Sequence, residues 1–439
     1  MTQKHIDHSV PVQRTLVIHP IRTTGSGPAR DPQARLEEAI GLALALDLEI
    51  TETALVALRG RTPATLFGSG KVEELRLLCE VEEIDVVVVD DQLTPVQQRN
   101  LERAWKVKVV DRTGLILEIF ARRARTREGK LQVELARLAY ERSRLVRTWT
   151  HLERQSGGFG RTGGPGETQI ELDRRAIADR IVKMKKELEE VRRTRTLHRS
   201  ARQKAPYPTI ALVGYTNAGK STLFNKLTDA EVLAQDMLFA TLDPTLRTVK
   251  LPGGRPAILS DTVGFISDLP HELVEAFRAT LEEVMEADVV LHVRDIASVE
   301  TEAQAHDVET VLSEIGFDPE DDGVSLIEVW NKIDLLPDEV REDAKGAARR
   351  EGAMAVSAVT GEGCQALLNH LATLVDETPE IDIGLEPGAG EALAWLYRHG
   401  RVTDRHDAED GSLRLRARLD AQALGRFERL FPAARVEVG

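Results

Sequence analysis

One glycine-rich segment constrains the fold of this chain more than any other feature. Residues 209–213 are an apolar strand, Thr-Ile-Ala-Leu-Val, and residues 214–221 follow as Gly-Tyr-Thr-Asn-Ala-Gly-Lys-Ser, with helix formers at 222–227. This is the pattern G-x-x-x-x-G-K-[ST] between a strand and a helix. Its glycines allow successive backbone N–H groups and a helix N-terminus to surround phosphates. The segment therefore predicts an α/β domain that binds a nucleoside polyphosphate.

Two side chains of this loop have predicted roles, and a second motif complements them. Lys220 should contact the β- and γ-phosphates, and the Ser221 hydroxyl should bind Mg²⁺. Residues 258–264 read Ile-Leu-Ser-Asp-Thr-Val-Gly, in which a strand ends at D-x-x-G. That ending is expected to place Asp261 near Mg²⁺, bonded through water, and the Gly264 N–H at the γ-phosphate.

The segment between these motifs supplies the remaining Mg²⁺ contact. It reads Phe-Ala-Thr-Leu-Asp-Pro-Thr over residues 239–245 and offers two candidate hydroxyls, Thr241 and Thr245. Both this loop and the segment after D-x-x-G are expected to change position when the bound nucleotide is hydrolysed. Lys220, Thr241 and Gly264 are the predicted catalytic residues.

Two later segments predict which base is bound. Residues 331–334 read Asn-Lys-Ile-Asp after an apolar strand, and Ser-Ala-Val follows another strand at 357–359. Guanine presents two N–H donors that the Asp334 carboxylate can accept together, and adenine offers no such pair. The two bonds are worth on the order of 3–6 kcal/mol. Asn331 is expected on the other side of the ring and a backbone N–H of 357–359 at guanine O6.

The order of these motifs is a GTPase signature, so the sequence predicts that GTP and GDP are ligands. The predicted metal ligands are Ser221 and Thr241, with Asp261 acting through water. The predicted nucleotide-contacting residues are Gly214, Tyr215, Thr216, Asn217, Ala218, Gly219, Lys220, Ser221, Thr222, Phe239, Ala240, Thr241, Leu242, Asp243, Asp261, Thr262, Val263, Gly264, Asn331, Lys332, Ile333, Asp334, Ser357, Ala358 and Val359.

The rest of the sequence predicts a multidomain α/β chain. Short apolar strands alternate with helical stretches before residue 120, which indicates a small parallel sheet covered by helices. The strand signal then disappears, and two charge-rich helical stretches flank a glycine-rich loop. The predicted divisions are a flexible tail at 1–13, an N-terminal α/β domain at 14–120, a basic helical hairpin at 121–204, a P-loop GTPase domain with a mixed, mostly parallel sheet at 205–376, a linker at 377–390 and a small C-terminal α+β module at 391–439.

The helical hairpin differs in charge from the rest of the chain. Residues 121–204 contain 23 Lys and Arg against 11 Asp and Glu, whereas the whole chain has a net charge of −14. Six glycines and a proline among residues 156–167 cannot continue a helix. A flexible loop with basic flanks suits RNA, and an exposed aromatic ring can stack on a base. The alternative is a surface hairpin packed on the GTPase domain. The candidate RNA-contacting residues are Arg154, Phe159, Arg161, Arg174 and Arg175.

The wording of these motifs resembles the HflX family of ribosome-associated GTPases. The similar segments are GYTNAGKSTLFN, FATLDPTLR, DTVGFI, NKID, the glycine loop SGGFGRTGGPGETQIELDRR, and the N-terminal FGSGKVEEL and DVVVVDDQLTPVQQRNLE. The resemblance covers about Arg14 to Asp376 and is not carried into the C-terminal module. It implies that the chain binds the large ribosomal subunit and its ribosomal RNA, and that it splits or rescues ribosomes under stress. It also favours Thr241 over Thr245 as the switch threonine.

Catalysis is expected to depend on a partner. Many GTPases orient the attacking water with a polar residue directly after the D-x-x-G glycine. Here that residue is Phe265, a departure that the resembled family shares, so hydrolysis should be slow until the ribosome stimulates it. Asn217 resembles the asparagine of potassium-activated GTPases, which adds K⁺ as a candidate cofactor beside Mg²⁺.

Composition and motif content argue against several other classes of protein. Cys79 and Cys364 fall in different predicted domains, which fits a reducing cytoplasm and not a disulfide framework. No apolar run approaches the ~20 residues that span a bilayer, and a monomer is expected. An RNA-remodelling NTPase with a second nucleotide site in the N-terminal domain is the alternative function, disfavoured because no second complete P-loop is present. A membrane-linked signalling GTPase is disfavoured by the basic hairpin and the lack of lipidation signals.

Overall fold

The computed structural model describes residues 13–22, 30–58, 60, 62–155, 165–202, 207–228, 238–252, 255–269, 273, 281, 283–318, 324–375, 380–408, 411–419 and 421–438. It divides into two compact units, Met1–Val249 with Ala257–Gln365, and Lys250–Pro256 with Ala366–Gly439. Among the described residues, no helix has the length and apolar character needed to cross a bilayer.

The N-terminal part is a four-stranded parallel sheet with helices around it, as predicted. The strand order is β2-β1-β3-β4, and every neighbouring pair is parallel. Strand β3 is buried along its whole length, which explains its uninterrupted valine run. Thr94 caps α3 with a capping box, as expected from its position before a proline. The elements are β1 (Arg14–Arg22), α1 (Pro32–Leu44), β2 (Glu49–Leu58), α2 (Ser69–Val81), β3 (Val86–Val89), α3 (Pro95–Trp105) and β4 (Lys108–Asp111).

Three helices follow, one more than the sequence pattern indicated. Helix α4 (Arg112–Arg123) was not predicted, although Leu115, Ile116, Ile119 and Phe120 recur at helical spacing and are buried. Helices α5 (Arg127–Gln155) and α6 (Pro165–Arg202) pack against each other as the predicted hairpin. Helix α6 begins inside the segment expected to be a loop, since proline is well accommodated in the first turn of a helix. Residues 156–164 of that loop lie outside the described residues.

A six-stranded sheet forms the nucleotide domain, with the order β10-β9-β8-β5-β7-β6. The pairs β5–β7, β5–β8, β8–β9 and β9–β10 are parallel. Their carboxyl ends therefore lie along one edge, which is where open α/β sheets bind ligands. The elements are β5 (Thr209–Gly214), α7 (Lys220–Thr228), β6 (Thr245–Lys250), β7 (Pro256–Asp261), β8 (Val289–Asp295), α8 (Thr301–Glu314), β9 (Ser325–Asn331), α9 (Asp338–Glu351), β10 (Met354–Ala355) and α10 (Cys364–Leu374).

The C-terminal unit contains an antiparallel sheet in the order β12-β13-β11-β14, with two helices and a core that includes Leu396 and Phe427. Its inner strand β11 lies in the segment expected to be a linker. Ile381, Ile383 and Leu385 alternate along it and are buried, a two-residue period that the neighbouring glycines and proline obscured. The elements are β11 (Glu380–Leu385), α11 (Gly390–His399), β12 (Arg401–Asp407), β13 (Leu413–Arg418), α12 (Ala421–Leu430) and β14 (Arg435–Val438).

Candidate functional site

The glycine-rich loop runs from the end of β5 into α7, as the sequence predicts. Lys220 is buried, and its Nζ donates hydrogen bonds to the carbonyls of Gly214 at 3.0 Å and Tyr215 at 2.8 Å. Gly214 has a φ of +151°, and a Cβ there would stand 2.2 Å from the carbonyl oxygen of Val293. Only glycine fits that position, because the loop crosses so close to strand β8.

Three predicted metal-binding groups converge beside this lysine. The Ser221 hydroxyl donates to the Asp261 carboxylate at 2.7 Å, the Thr241 hydroxyl donates to the same oxygen at 2.9 Å, and the two hydroxyls lie 2.9 Å apart. The second oxygen of Asp261 is buried and has no hydrogen-bond partner within the described residues. Two hydroxyls and a carboxylate are the hard oxygen donors that Mg²⁺ prefers. The residues present therefore fit that ion, and Thr241, not Thr245, occupies the place predicted for the switch threonine.

Burial shifts the pKa values of both charged groups in the cleft, Lys220 and Asp261. Desolvation lowers the pKa of Lys220 to about 8, although the Asp261 carboxylate acts in the opposite direction. Desolvation raises the pKa of Asp261, while the Ser221 hydroxyl and Lys220 oppose that rise. A buried ammonium and a buried carboxylate with an unpaired oxygen are costly alone. A polyphosphate and a divalent cation supply the opposite charges, so the cleft has the electrostatics of a nucleotide site.

The D-x-x-G glycine closes the floor of the cleft. A Cβ on Gly264 would meet Thr216 Cγ2 at 2.9 Å and Lys220 Nζ at 3.0 Å, so any side chain there would fill the space in which phosphates are expected. The cleft encloses about 420 Å³, including space open to solvent. Its lining residues are Thr216, Asn217, Gly219, Lys220, Ser221, Thr222, Phe239, Ala240, Thr241, Thr262 and Gly264.

The residue after that glycine has a structural role. Phe265 is buried, its N–H donates to the Gly214 carbonyl at 3.1 Å, and its carbonyl accepts from the Thr216 N–H at 2.7 Å. These bonds join the start of the D-x-x-G segment to the glycine-rich loop as a parallel bridge between Tyr215 and Phe265. The ring of Phe265 carries no hydrogen-bonding group that could orient a water molecule.

The base-recognition motif is tied directly to the phosphate loop. The Asn331 amide donates to the Ala218 carbonyl at 2.8 Å and accepts from the Ala358 N–H at 3.0 Å, so it connects both segments. Lys332 adopts a left-handed conformation and pairs with Asp295 at 2.8 Å. Asp334 follows in a short 3₁₀ turn and is partly exposed. The Asn331 side chain thus joins two loops, and its contact with guanine stays a prediction.

Some predicted contact residues point elsewhere. The side chains of Leu242, Val263 and Ile333 are buried in the protein, whereas Val359 is 73% exposed. Asp243 accepts hydrogen bonds from the backbone N–H groups of residues 125 and 126, just before α5. The side chains of Leu242, Val263, Ile333 and Asp243 therefore contact other parts of the protein, and the backbone contact expected at residues 357–359 stays a prediction.

Sequence patterns missed a buried polar network that joins the nucleotide domain to α1 and α4. The Tyr215 hydroxyl donates to Glu38 and accepts from the Ser267 N–H at 2.9 Å. Arg112 pairs with Glu38 and donates to the Ser267 carbonyl at 3.1 Å, while Arg35 pairs with Asp268 at 2.7 Å. These residues are spread over more than 200 positions in the chain. A tyrosine in the second position of the phosphate loop, where small residues also fit, is the one available signal.

The candidate RNA-contacting residues are only partly described. Arg174 and Arg175 are exposed on α6, near its beginning. Arg154 lies on α5, but its side chain is outside the described part of the structure, and Phe159 and Arg161 lie outside it altogether.

Comparison with known families covers most of the chain. Residues 33–121 match the profile of the "GTP-binding GTPase N-terminal" region, and residues 123–202 match the "GTP-binding GTPase Middle Region". Residues 209–332 match the profile described as "50S ribosome-binding GTPase". Residues 343–435 match the "HflX C-terminal domain", so the likeness extends beyond Asp376, where the sequence resemblance was expected to end.

Two known relatives match this chain over most of its length. The chain is 53% identical to GTPase HflX of Magnetococcus marinus over 401 residues, which is 90% of each protein. It is 44% identical to GTPase HflX of Escherichia coli over 385 residues, 88% of this chain and 89% of the relative. A GDP complex of a GTP-binding protein from Sulfolobus solfataricus aligns with a TM-score of 0.44 and 25% identity, covering 83% of this chain and 98% of the other. The four profile matches and the two HflX identities show that the chain belongs to the HflX family of GTPases.

Proposed function

We propose that this GTPase binds the large ribosomal subunit in its GTP-bound state and splits or rescues ribosomes under stress. The observation that carries the proposal is the meeting of Ser221, Thr241 and Asp261 beside Lys220, because it gives the loop around Thr241 a direct means to respond to a γ-phosphate. The description of the matching profile as a 50S ribosome-binding GTPase supports the choice of partner.

Sedimentation with purified ribosomal subunits tests this function. We expect the protein to pellet with the large subunit in the presence of a nonhydrolysable GTP analogue, and much less with GDP. With intact ribosomes and GTP, free subunits should accumulate. Pelleting with neither subunit in either nucleotide state would contradict the cellular role and leave the nucleotide chemistry intact.

Mg²⁺ is the metal that this site is proposed to use. Ser221 and Thr241 would hold it directly and Asp261 through water; when bound, Mg²⁺ neutralises charge on the β- and γ-phosphates. Lys220 would bind the same phosphates, and the Gly264 N–H would fix the position of the γ-phosphate. We expect GTP affinity to fall on chelation with EDTA, and Ser221→Ala to reduce that dependence on Mg²⁺. Equal affinity with and without Mg²⁺ would contradict this assignment.

Hydrolysis is proposed to be slow until the ribosome stimulates it. Phe265 is buried and bonded to the phosphate loop through its backbone, so its side chain cannot act on water. A polar group that orients the nucleophile must come from elsewhere. Single-turnover hydrolysis measured with and without large subunits should show the difference, and identical rates would contradict the proposal.

The helical hairpin is the proposed contact with ribosomal RNA. Arg174 and Arg175 are exposed on α6, where phosphate oxygens can reach them. Replacing both with Ala should weaken binding to the large subunit and reduce the slope of log affinity against log salt by about 0.7–0.9 per lost phosphate contact. Arg349→Ala with Arg350→Ala, an exposed pair on α9, is the matched control. An unchanged salt slope in the first variant would count against RNA contact.

K⁺ is proposed as an activating ion through Asn217. This residue lines the cleft and has a φ of +60°, which turns the loop at the phosphate site. GTP turnover measured in K⁺ and then in Na⁺ should differ, and Asn217→Ala should remove the difference. Equal turnover in both salts, with and without ribosomes, would contradict a role for K⁺.

A further inference from the structure

Three potential metal ligands face one another outside the nucleotide cleft. His292 on β8, Glu328 on β9 and Glu309 on α8 present a ring nitrogen and two carboxylate oxygens that all lie within 4.8 Å of one another. The register of the sheet places His292 directly opposite Glu328. His292 is an inner residue of β8, and Glu309 approaches it from helix α8.

The histidine of this group belongs to the interior of the nucleotide domain. It lies on β8, between β5 and β9, and is only 2% exposed. An imidazole nitrogen is a common ligand for transition-metal ions in proteins.

The charges around this histidine favour a divalent cation. Arg294 pairs with Glu328 at 2.7 Å and with Glu302 at 2.5 Å. Glu309 adds a third carboxylate, so three negative charges stand against the two positive charges of Arg294 and Lys220. Arg294 and the Trp330 indole N–H both bind Oε2 of Glu328, the latter at 2.8 Å. Its Oε1 has no donor among the described residues and remains available as a ligand.

We propose that His292, Glu309 and Glu328 form a binding site for a divalent transition-metal ion, with Zn²⁺ the best match. Zn²⁺ accepts one imidazole and two carboxylates in a tetrahedral set completed by water, with bonds of about 2.0–2.2 Å. Mg²⁺ and Ca²⁺ prefer sets made only of oxygen. Ligand atoms of such a tetrahedron lie about 3.3–3.5 Å apart, and the exposed Glu309 can close the remaining gap by changing rotamer.

Zn²⁺ titration of the full-length protein by calorimetry tests the site. The protein is treated with EDTA, dialysed and kept free of nucleotide, because polyphosphates chelate Zn²⁺. We expect one site whose affinity falls about ten-fold or more in Glu309→Gln. Glu314→Gln, an exposed carboxylate later on α8, is the matched control and should keep the wild-type affinity. Equal affinity in wild type and Glu309→Gln would overturn the proposal.

The fluorescence of Trp330 provides a second readout of metal binding. Its indole binds Glu328, so Co²⁺ at this site should quench its fluorescence. The quenching should disappear in Trp330→Phe and in Glu309→Gln, and persist in Glu314→Gln. A visible Co²⁺ spectrum with a nitrogen ligand, lost in His292→Gln, identifies the imidazole. Quenching that is absent in the wild type, or unaffected by Glu309→Gln, would rule out the site.

Discussion

Asp243 and Thr126, 117 residues apart in the chain, are joined by two hydrogen bonds. The Asp243 carboxylate accepts from the Thr126 hydroxyl at 2.5 Å and from its backbone N–H at 3.0 Å. It also accepts from the Arg125 N–H at 2.8 Å. The Thr126 hydroxyl in turn accepts from the Gly129 N–H at 2.9 Å, so the Asp243 carboxylate fixes the residue that caps α5. The loop of the switch threonine thus holds the base of the helical hairpin.

Removing that carboxylate should loosen the start of α5. A lost helix cap costs about 0.5–2 kcal/mol, so exchange of the amide hydrogens of residues 125–126 should accelerate about two- to thirty-fold in Asp243→Ala. Hydrogen exchange followed by mass spectrometry measures this. Asp338→Ala, at the first turn of α9, is the control that should leave α5 unchanged. Unchanged exchange in Asp243→Ala would show that the cap contributes nothing.

The hydroxyl of Tyr215 should resist ionisation at alkaline pH. Burial raises its pKa above the ordinary value of 10.0, and the neighbouring Glu38 carboxylate adds to the rise. The folded state therefore favours the protonated phenol, a stabilisation that is complete below pH 10 and is lost as pH rises toward the higher folded pKa. In an absorbance titration at alkaline pH, Tyr215→Phe should leave the ionisation of the folded protein unchanged. A missing step near pH 10 in the variant would contradict this expectation.

Substitution of Arg112 should reduce the stability of the N-terminal part more than most other single substitutions there. It is buried and pairs with Asp90 at 2.5 Å and with Glu38. Burial alone would raise the pKa of Asp90, but the Arg112 guanidinium lowers it below its usual value. Arg112→Met would remove the guanidinium that pairs with both carboxylates and leave Asp90 with His19 and Glu38 with the more distant Arg35, at a cost of about 3–5 kcal/mol.

The exposed pair between Arg122 and Asp47 is the comparison for that substitution. Its atoms lie 3.0 Å apart at the surface, and such pairs contribute about 0–1 kcal/mol. Protection of the β3 amides against hydrogen exchange should fall strongly in Arg112→Met and little in Arg122→Met. Similar losses in both variants would contradict the difference in burial as the cause.

Asp334→Asn should change which base is bound. The Asp334 carboxylate is expected to accept two N–H groups of guanine, whereas an amide can accept only one and presents a donor in place of the other. Guanine affinity should fall about 100-fold or more, since the pair is worth on the order of 3–6 kcal/mol. Xanthine carries a carbonyl where guanine has its amino group, so XDP should bind the variant better than the wild type. Calorimetry with GDP and XDP measures this, and Glu339→Gln is a neighbouring control.

The sequence by itself determined the nucleotide chemistry of this protein. Local sequence patterns were enough to place Lys220, Ser221 and Gly264 in one cleft, because these patterns reflect short-range geometry. They are the strand before Gly214, the lysine at 220 and the order of the later motifs. The apolar strand β3 was readable for the same reason.

Only the tertiary structure decided which side chains of distant elements contact one another. Asp243 binds the residue that caps a helix more than 100 residues earlier, Tyr215 bonds to Glu38, and His292 meets Glu309 and Glu328 across two strands and a helix. Strand β11 likewise could not be identified from the sequence, because only its pairing in the sheet establishes which of its side chains are buried. These relationships depend on the packing of distant elements. No periodicity within a single segment encodes them, because a side chain's partner is set by the fold around it.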